Sequence, residues 1–192
     1  NAPNLLIHGE SLGADAVIYD LEDAVSLAEK DAARLLVRNA LRQPRRSRAL
    51  RVVRINALDG SLWQADLEAL VPQRPDFLLP PKVDGPQAVR TLAEALSALE
   101  QAAGLAEGCI RLLPLIETAL GIERAFEIAA AHPRVAGLLL GGEDLSADLH
   151  CKRTKKGDEL LYSRGRILCA ARAAGVEAYD TPFTDVDDLE GL

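Results

Sequence analysis

Three stretches of the chain end an apolar run in acidic side chains: AVIYDLEDAV (16–25), LLPLIETALG (112–121) and GLLLGGEDLSADL (137–149). In the first, residues 16–21 are apolar except for Asp20, and Glu22 and Asp23 follow. In the second, 112–116 leads to Glu117, and in the third the run leads through Gly141 and Gly142 to Glu143 and Asp144. Carboxylates delivered at the C-terminal ends of buried strands are the donors that a hard divalent cation takes. A metal-assisted enzyme is therefore the leading expectation.

Glu117 and Asp144 make the best metal pair, because Mg²⁺ takes few carboxylates, keeps several waters and leaves positions open to substrate oxygens. His8, His132 and His150 do not stand at strand ends, which disfavours zinc or iron; each reads instead as a surface or capping residue. Arg54 closes an apolar run in RVVRIN (51–56), and its forked guanidinium suits a substrate carboxylate. The competing reading of Arg54 is an ion pair with one of the site carboxylates. Gly141-Gly142 lets the backbone come close to a ligand, and its amides are candidate oxyanion donors. Taken singly, Asp23 and Asp144 also read as helix caps, and Lys82, after Pro80-Pro81, as an exposed loop lysine. What favours a site is recurrence at successive strand ends, with no comparable set at the opposite ends.

The elements that must position these groups alternate along the chain. Strand-length apolar runs fall at 16–21, 50–55, 77–79, 110–116, 135–140 and 177–180. Helical patterns lie between them: 28–41 with Ala32, Leu35, Leu36 and Ala40 on one side; a short helix near 62–70; 86–103 with Val89, Leu92, Ala93, Leu96 and Leu99 near a 3.6 period; 122–131; and 160–174. Strands apolar on both faces and separated by helices predict a parallel sheet covered on both sides. No GxGxxG follows the first strand and no GxxxxGK[ST] occurs, so a nucleotide-binding open sheet has little support. The expectation is a TIM (β/α)8 barrel occupying 1–192 as one domain, lacking the first strand and the eighth strand plus a C-terminal segment. On that reading the first residues, with Leu5, Leu6 and Leu12, form the helix after a lost strand, and the chain stops at a helix-like DVDDLEGL (185–192). The chain begins at Asn1 and contains no methionine, as expected of a fragment or of a sequence with residues missing.

A net charge of −7 argues against a nucleic-acid or anionic-membrane surface, and no apolar run approaches the roughly 20 residues that span a bilayer. Cys109, Cys151 and Cys169 are odd in number, widely spaced and without CxxC, and read as reduced thiols of a cytoplasmic protein. Two basic runs stand out. Residues 42–48 read as a solvated loop near a helix C-terminus. Residues 152–156 follow a site strand, and read either as a solvated loop or as a surface for phosphates or an acidic carrier protein.

The segments GADAVIYDLEDAV (13–25), VRIN (53–56), LLPPKV (78–83), LIETALGI (115–122), GGEDLSADL (141–149) and AARAAGVEAYDTPFTD (170–185) together resemble the citrate lyase β-subunit-like family, which includes malyl-CoA and citramalyl-CoA lyases. The resemblance implies a TIM barrel, Mg²⁺ dependence and a carbon–carbon lyase acting next to an acyl thioester. Citryl, citramalyl or malyl thioesters of CoA or of an acyl carrier protein would give oxaloacetate, pyruvate or glyoxylate plus an acetyl thioester. It further implies Glu117 and Asp144 as Mg²⁺ ligands, Arg54 as the holder of the 2-oxo acid's carboxylate, Glu22 and Asp23 as the groups that order metal-bound water, and a homotrimer. Lys82 and Gly142 join Arg54 and Glu117 as candidate substrate contacts. The general base is either a carboxylate outside the chain or a water held by Asp23. Two other readings compete: a Mg²⁺-dependent hydroxy-dioate aldolase that uses no thioester, and a non-catalytic carrier-binding subunit.

Overall fold

A computed structural model of the chain describes Leu6, residues 8–183, Asp187 and Asp188. The expected helix at the start falls largely outside these residues, as does most of 185–192. Strands and helices alternate as expected, and the strands are parallel. The chain divides into two compact units, Asn1–Pro81 with Thr91–Leu113, and Lys82–Arg90 with Pro114–Leu192.

The first unit is built on a sheet of β1 (Ala16–Asp20), β2 (Leu50–Arg54), β3 (Phe77–Leu79) and β4 (Arg111–Leu112), adjacent in that order. These runs are rich in β-branched and aliphatic residues, which fit a pleated, half-buried surface, and Ile18 of β1 remains 46% exposed. Val53, Leu78 and Leu112 are completely buried, each worth about 1.5–3 kcal/mol relative to exposure. Register places Asp20 opposite Arg54, and Arg54 opposite Leu79, so the C-terminal ends of β1, β2 and β3 are level. Helices α1 (Lys30–Arg42) and α2 (Leu62–Leu70) belong to this unit, as does most of α3 (Pro86–Ala102).

The buried side of α1 is not the expected one. Ala33, Arg34, Val37 and Leu41 face inward, whereas Leu35 is 48% exposed and Ala32 is exposed. The reason is Arg34, a charged residue taken into the interior by its ion pair with fully buried Asp66. Along α3, Val89, Leu92, Ala93 and Leu96 are buried as expected; Leu99 is only partly covered, and Glu100 is the buried residue beside it. The loop 42–48 is also more tied down than a solvated loop. Arg45 grips Asp76 with two hydrogen bonds of 2.8 and 2.9 Å, and the Arg46 amide donates to Glu10.

The second unit is built on β5 (Leu115–Ile116), β6 (Gly137–Leu140) and β7 (Glu177–Tyr179), adjacent in that order. The run expected as one strand at 110–116 is thus divided between two sheets, with Leu113-Pro114 between the parts. Pro114 has no N–H to give a ladder, and its carbonyl instead accepts the amide of Leu139. The helix expected at 122–131 begins earlier and is interrupted. It becomes α4 (Ala119–Glu123) and α5 (Ala125–Ala129), flanking Arg124 at φ −95°, ψ 10°. Two further helices follow, α6 (Gly142–Asp148) and α7 (Leu161–Ala174). The latter ends at Gly175, whose φ of 72° is the left-handed conformation glycine adopts without steric cost. Among the described residues no helix is long and apolar enough to cross a membrane, and the three cysteines form no disulfide.

Candidate functional site

The expected site residues fall into two sets, one in each unit. In the first unit, Asp20 and Arg54 are the last residues of neighbouring strands. Arg54 donates from Nε to Asp20 Oδ1 at 2.7 Å and from Nη2 to Oδ2 at 2.5 Å. Its Nη1 lies 3.2 Å from Glu22 Oε2 and 3.6 Å from Asp23 Oδ2. Three of the five guanidinium N–H donors therefore remain for Glu22, Asp23 and a ligand after the Asp20 fork is made. The ion pair weighed against substrate binding is present, and its partner is Asp20, to which no role was assigned. The signal was the single polar residue inside an apolar strand.

Asp20 also shapes the loop after β1, accepting the amides of Glu22 at 2.9 Å and Ala24 at 3.2 Å. Glu22 is buried and accepts the amide of Asp23, while the Asp23 side chain is half exposed. Asp23 caps no helix, since α1 begins seven residues later without a side-chain cap. Burial pushes the Asp20 carboxyl up, but hydrogen bonds from Arg54 and from the Glu22 and Ala24 amides outweigh it, and its pKa falls below 3.8. Burial likewise opposes the Arg54 charge, and its hydrogen bonds to Asp20 with the charges of Asp20, Glu22 and Asp23 outweigh that, raising its pKa. A carboxylate depressed on folding contributes stability above its unfolded pKa and loses it as pH falls through the folded value. Asp20→Asn should therefore be less stable than the parent at pH 7, with the gap closing below pH 3.8. Denaturation midpoints across pH check this, and a gap independent of pH contradicts it.

In the second unit the register aligns Ile116 with Leu140, so Glu117 and Gly141 leave neighbouring strands side by side. Glu117 is 3% exposed and accepts the Lys82 amide at Oε1, 2.8 Å away. Lys82 has φ of 52°, uncommon for a residue with a Cβ and a form of strain found at functional sites. Its ammonium lies 3.3 Å from Asp144 Oδ2, so this lysine is joined to both carboxylates of the expected metal pair. Asp144 is not the cap of α6. It stands in the first turn, where a negative charge complements the helix dipole.

The glycine pair has a steric purpose. A Cβ on Gly141 would lie 2.5 Å from Glu117 Oε2 and 2.7 Å from Glu117 Cβ; a Cβ on Gly142 would lie 2.7 Å from Thr181 Oγ1. Both amides are directed within the protein, Gly141 to the Ile116 carbonyl and Gly142 to Thr181 Oγ1, each at 2.9 Å. Thr181 was missed, although it stands just after β7 within the TPFTD segment. Gly141→Ala is expected to cost about 1–3 kcal/mol of stability by overpacking and to displace Glu117. Chemical denaturation with Mn²⁺ titration measures both, and parent-like values would contradict this packing argument.

Among the described residues no three His, Cys, Asp or Glu side chains group to hold a metal. The donor set of Glu117 and Asp144 nonetheless suits Mg²⁺, which completes its shell with water and substrate oxygens. Asp144 already holds a cation, the Lys82 ammonium, and Glu117 is a buried carboxylate at a strand end. Of the histidines, His8 and His150 are exposed, and His132 accepts the Arg134 amide in a local turn. Of the basic run 152–156, Arg153 pairs with Glu143 and Glu159, and Lys155, itself 78% exposed, pairs with Asp188; Lys152 and Lys156 are exposed as well.

The model of the HpcH/HpaI aldolase/citrate lyase family matches residues 1–192. The chain is 42% identical to the citrate lyase subunit beta of Leuconostoc mesenteroides subsp. cremoris, over 100% of this chain and 64% of that protein. It is 36% identical to a (3S)-malyl-CoA thioesterase of Cereibacter sphaeroides, over 95% of this chain and 60% of that protein. Among solved structures, the citrate lyase beta subunit from M. tuberculosis complexed with oxaloacetate and magnesium shares its fold. The TM-score is 0.79 at 35% identity, covering 98% of this chain and 78% of that one. The chain thus spans 60–64% of the length of these curated relatives. With its parallel strands, its TIM-barrel-type α/β fold and its strand-end carboxylates, the chain belongs to the HpcH/HpaI aldolase/citrate lyase family.

Proposed function

We propose that the chain belongs to a Mg²⁺-dependent carbon–carbon lyase that cleaves or forms a 3-hydroxyacyl thioester of the citryl, citramalyl or malyl type. The observation that carries this reading is Glu117, a buried carboxylate joined through Lys82 to Asp144 at the ends of strands. The citrate lyase relative and the M. tuberculosis structure with oxaloacetate and magnesium support the reaction class and the cation. The malyl-CoA thioesterase relative supports an acyl-thioester substrate.

In the cleavage direction the substrate hydroxyl loses its proton and the bond from the carbinol carbon to the thioester α-carbon breaks. The bonding electron pair passes to the thioester as an enolate. Protonation at the α-carbon gives the acetyl thioester, and the carbinol becomes the carbonyl of the 2-oxo acid. Arg54 binds and orients the carboxylate of that acid, with the Asp20 fork holding the guanidinium ready. Glu22 and Asp23 order water beside it, and water held by Asp23 takes the hydroxyl proton while passing one of its own to the Asp23 carboxylate, from which the α-carbon is protonated. Lys82 places its ammonium on a substrate oxygen. Mg²⁺, held by Glu117 and Asp144, would supply Lewis-acid polarisation of the carbonyl. A cytoplasmic location and assembly into a homotrimer belong to the same proposal.

The test is to offer citryl-CoA, citramalyl-CoA and malyl-CoA in parallel with the corresponding free hydroxy acids. Release of a 2-oxo acid from one thioester only, abolished by EDTA, supports the lyase. Release from a free hydroxy-dioic acid turns the reading to an aldolase. Release from none, with Mg²⁺-dependent oxo-acid binding retained, turns it to a protein-bound thioester or a carrier-binding subunit.

A further inference from the structure

One face of α1 reaches both loops that carry the arginine cluster. Lys30, the first residue of the helix, donates from Nζ to the carbonyls of Leu21 at 2.7 Å and Glu22 at 2.8 Å. One turn on, Arg34 donates from Nε to Asp66 Oδ1 at 2.7 Å. Asp66 is 0% exposed, and its Oδ2 accepts both the backbone amide of Asn56 at 2.9 Å and its side-chain amide at 2.7 Å. Residues four apart on a helix share a face, so this one turn meets the loop after β1 directly and the loop after β2 through Asp66. The two loops are joined in turn by the Leu21 amide, which donates to the Arg54 carbonyl at 2.9 Å. A closed ring of hydrogen bonds results: α1, the β1 loop, the end of β2, Asn56, Asp66 and α1 again.

Burying an arginine–aspartate pair rarely gains stability over apolar side chains of similar volume, so stability is a weak reason for Asp66 to be charged. What an apolar residue would not supply is an acceptor for the Asn56 amide. Removing the Lys30 ammonium would likewise release two carbonyls that flank the Glu22 backbone. Neither Lys30 nor Asp66 bonds to Arg54, yet each fixes the backbone within two or three residues of a group assigned to the site.

We infer that Lys30 and Asp66 are positioning residues of the Arg54 cluster, holding its two loops in place before a 2-oxo acid binds. The inference rests on the proposed role of Arg54 in carboxylate binding. Asp66→Asn is the sharper variant: one oxygen of the amide faces Arg34 only if its NH₂ is turned on the Asn56 amide, where donor meets donor. Lys30→Met removes the other arm at similar length, and Lys30→Arg restores a donor.

The experiment combines hydrogen exchange with calorimetric binding of oxaloacetate, pyruvate and glyoxylate in Mg²⁺. Asp66→Asn should speed exchange of the amides at 54–57, and Lys30→Met those at 21–24, each by roughly tenfold or more. Oxo-acid Kd should rise by roughly tenfold, as expected when a binding group is misplaced, with Mn²⁺ affinity unchanged and Lys30→Arg recovering most of the loss. Parent-like exchange overturns the inference. So does a lowered thermal midpoint with a parent-like Kd, which would make the ring merely structural. If the parent protein binds none of the three acids, the proposed function fails, and exchange alone decides whether Lys30 and Asp66 hold the loops.

Discussion

Arg54→Lys is expected to lower turnover of the thioester substrate by about 10²-fold or more while leaving the fold intact. Lysine keeps the positive charge but loses the planar fork that Asp20 grips at two points. A single ammonium satisfied by Asp20, Glu22 and Asp23 would have neither the donors nor the direction left for an incoming carboxylate. The Asp20 carboxylate keeps the Glu22 and Ala24 amides, so the loop after β1 should persist. The loss should appear in oxo-acid affinity as well as kcat, because orientation of the carboxylate is what the fork supplies. Parent-like oxo-acid affinity in Arg54→Lys would mean that Arg54 serves the Asp20 ion pair alone.

The second large effect belongs to the metal pair. Glu117→Gln and Asp144→Asn should each weaken Mg²⁺ or Mn²⁺ binding by roughly 10²-fold or more, since each removes one of two anionic ligands. Turnover should become undetectable, and the double variant should be no worse than either single one, because the two groups act as a unit. Stability should change little. Glutamine at 117 still offers an oxygen to the Lys82 amide, and the Lys82–Asp144 pair is 40% and 39% exposed, where ion pairs contribute little. Full activity with an unchanged metal Kd in either variant would remove that residue from the metal assignment.

The placement of Asp20, Arg54 and Glu117 at strand ends was legible because it follows directly from pattern. The runs ending at Asp20 and Arg54 are short and rich in β-branched residues, that before Glu117 is leucine-rich, and the carboxylates stand where a parallel sheet releases its strands. Less visible was what depends on pairing across sequence distance. The inward face of α1 was misread because Arg34 counts as polar until Asp66, 32 residues on, is seen to bury with it. The division of 110–116 at Pro114 follows from a missing donor, which sequence shows, but the transfer between sheets does not follow from it. Lys82 could not be joined to Glu117 in advance, since the link is a backbone amide set by a left-handed φ. The glycine pair was recognised as an allowance for close approach, yet what approaches Gly141 is Glu117 itself, and what receives the Gly142 amide is Thr181.

The measurement that bears most directly on the account is calorimetric binding of oxaloacetate, pyruvate and glyoxylate to the parent chain with Mg²⁺ and with EDTA, repeated for Arg54→Lys and Glu117→Gln. The proposed lyase requires binding of at least one acid that depends on Mg²⁺ and is lost in both variants. Binding that survives EDTA, or that needs neither Arg54 nor Glu117, would contradict it.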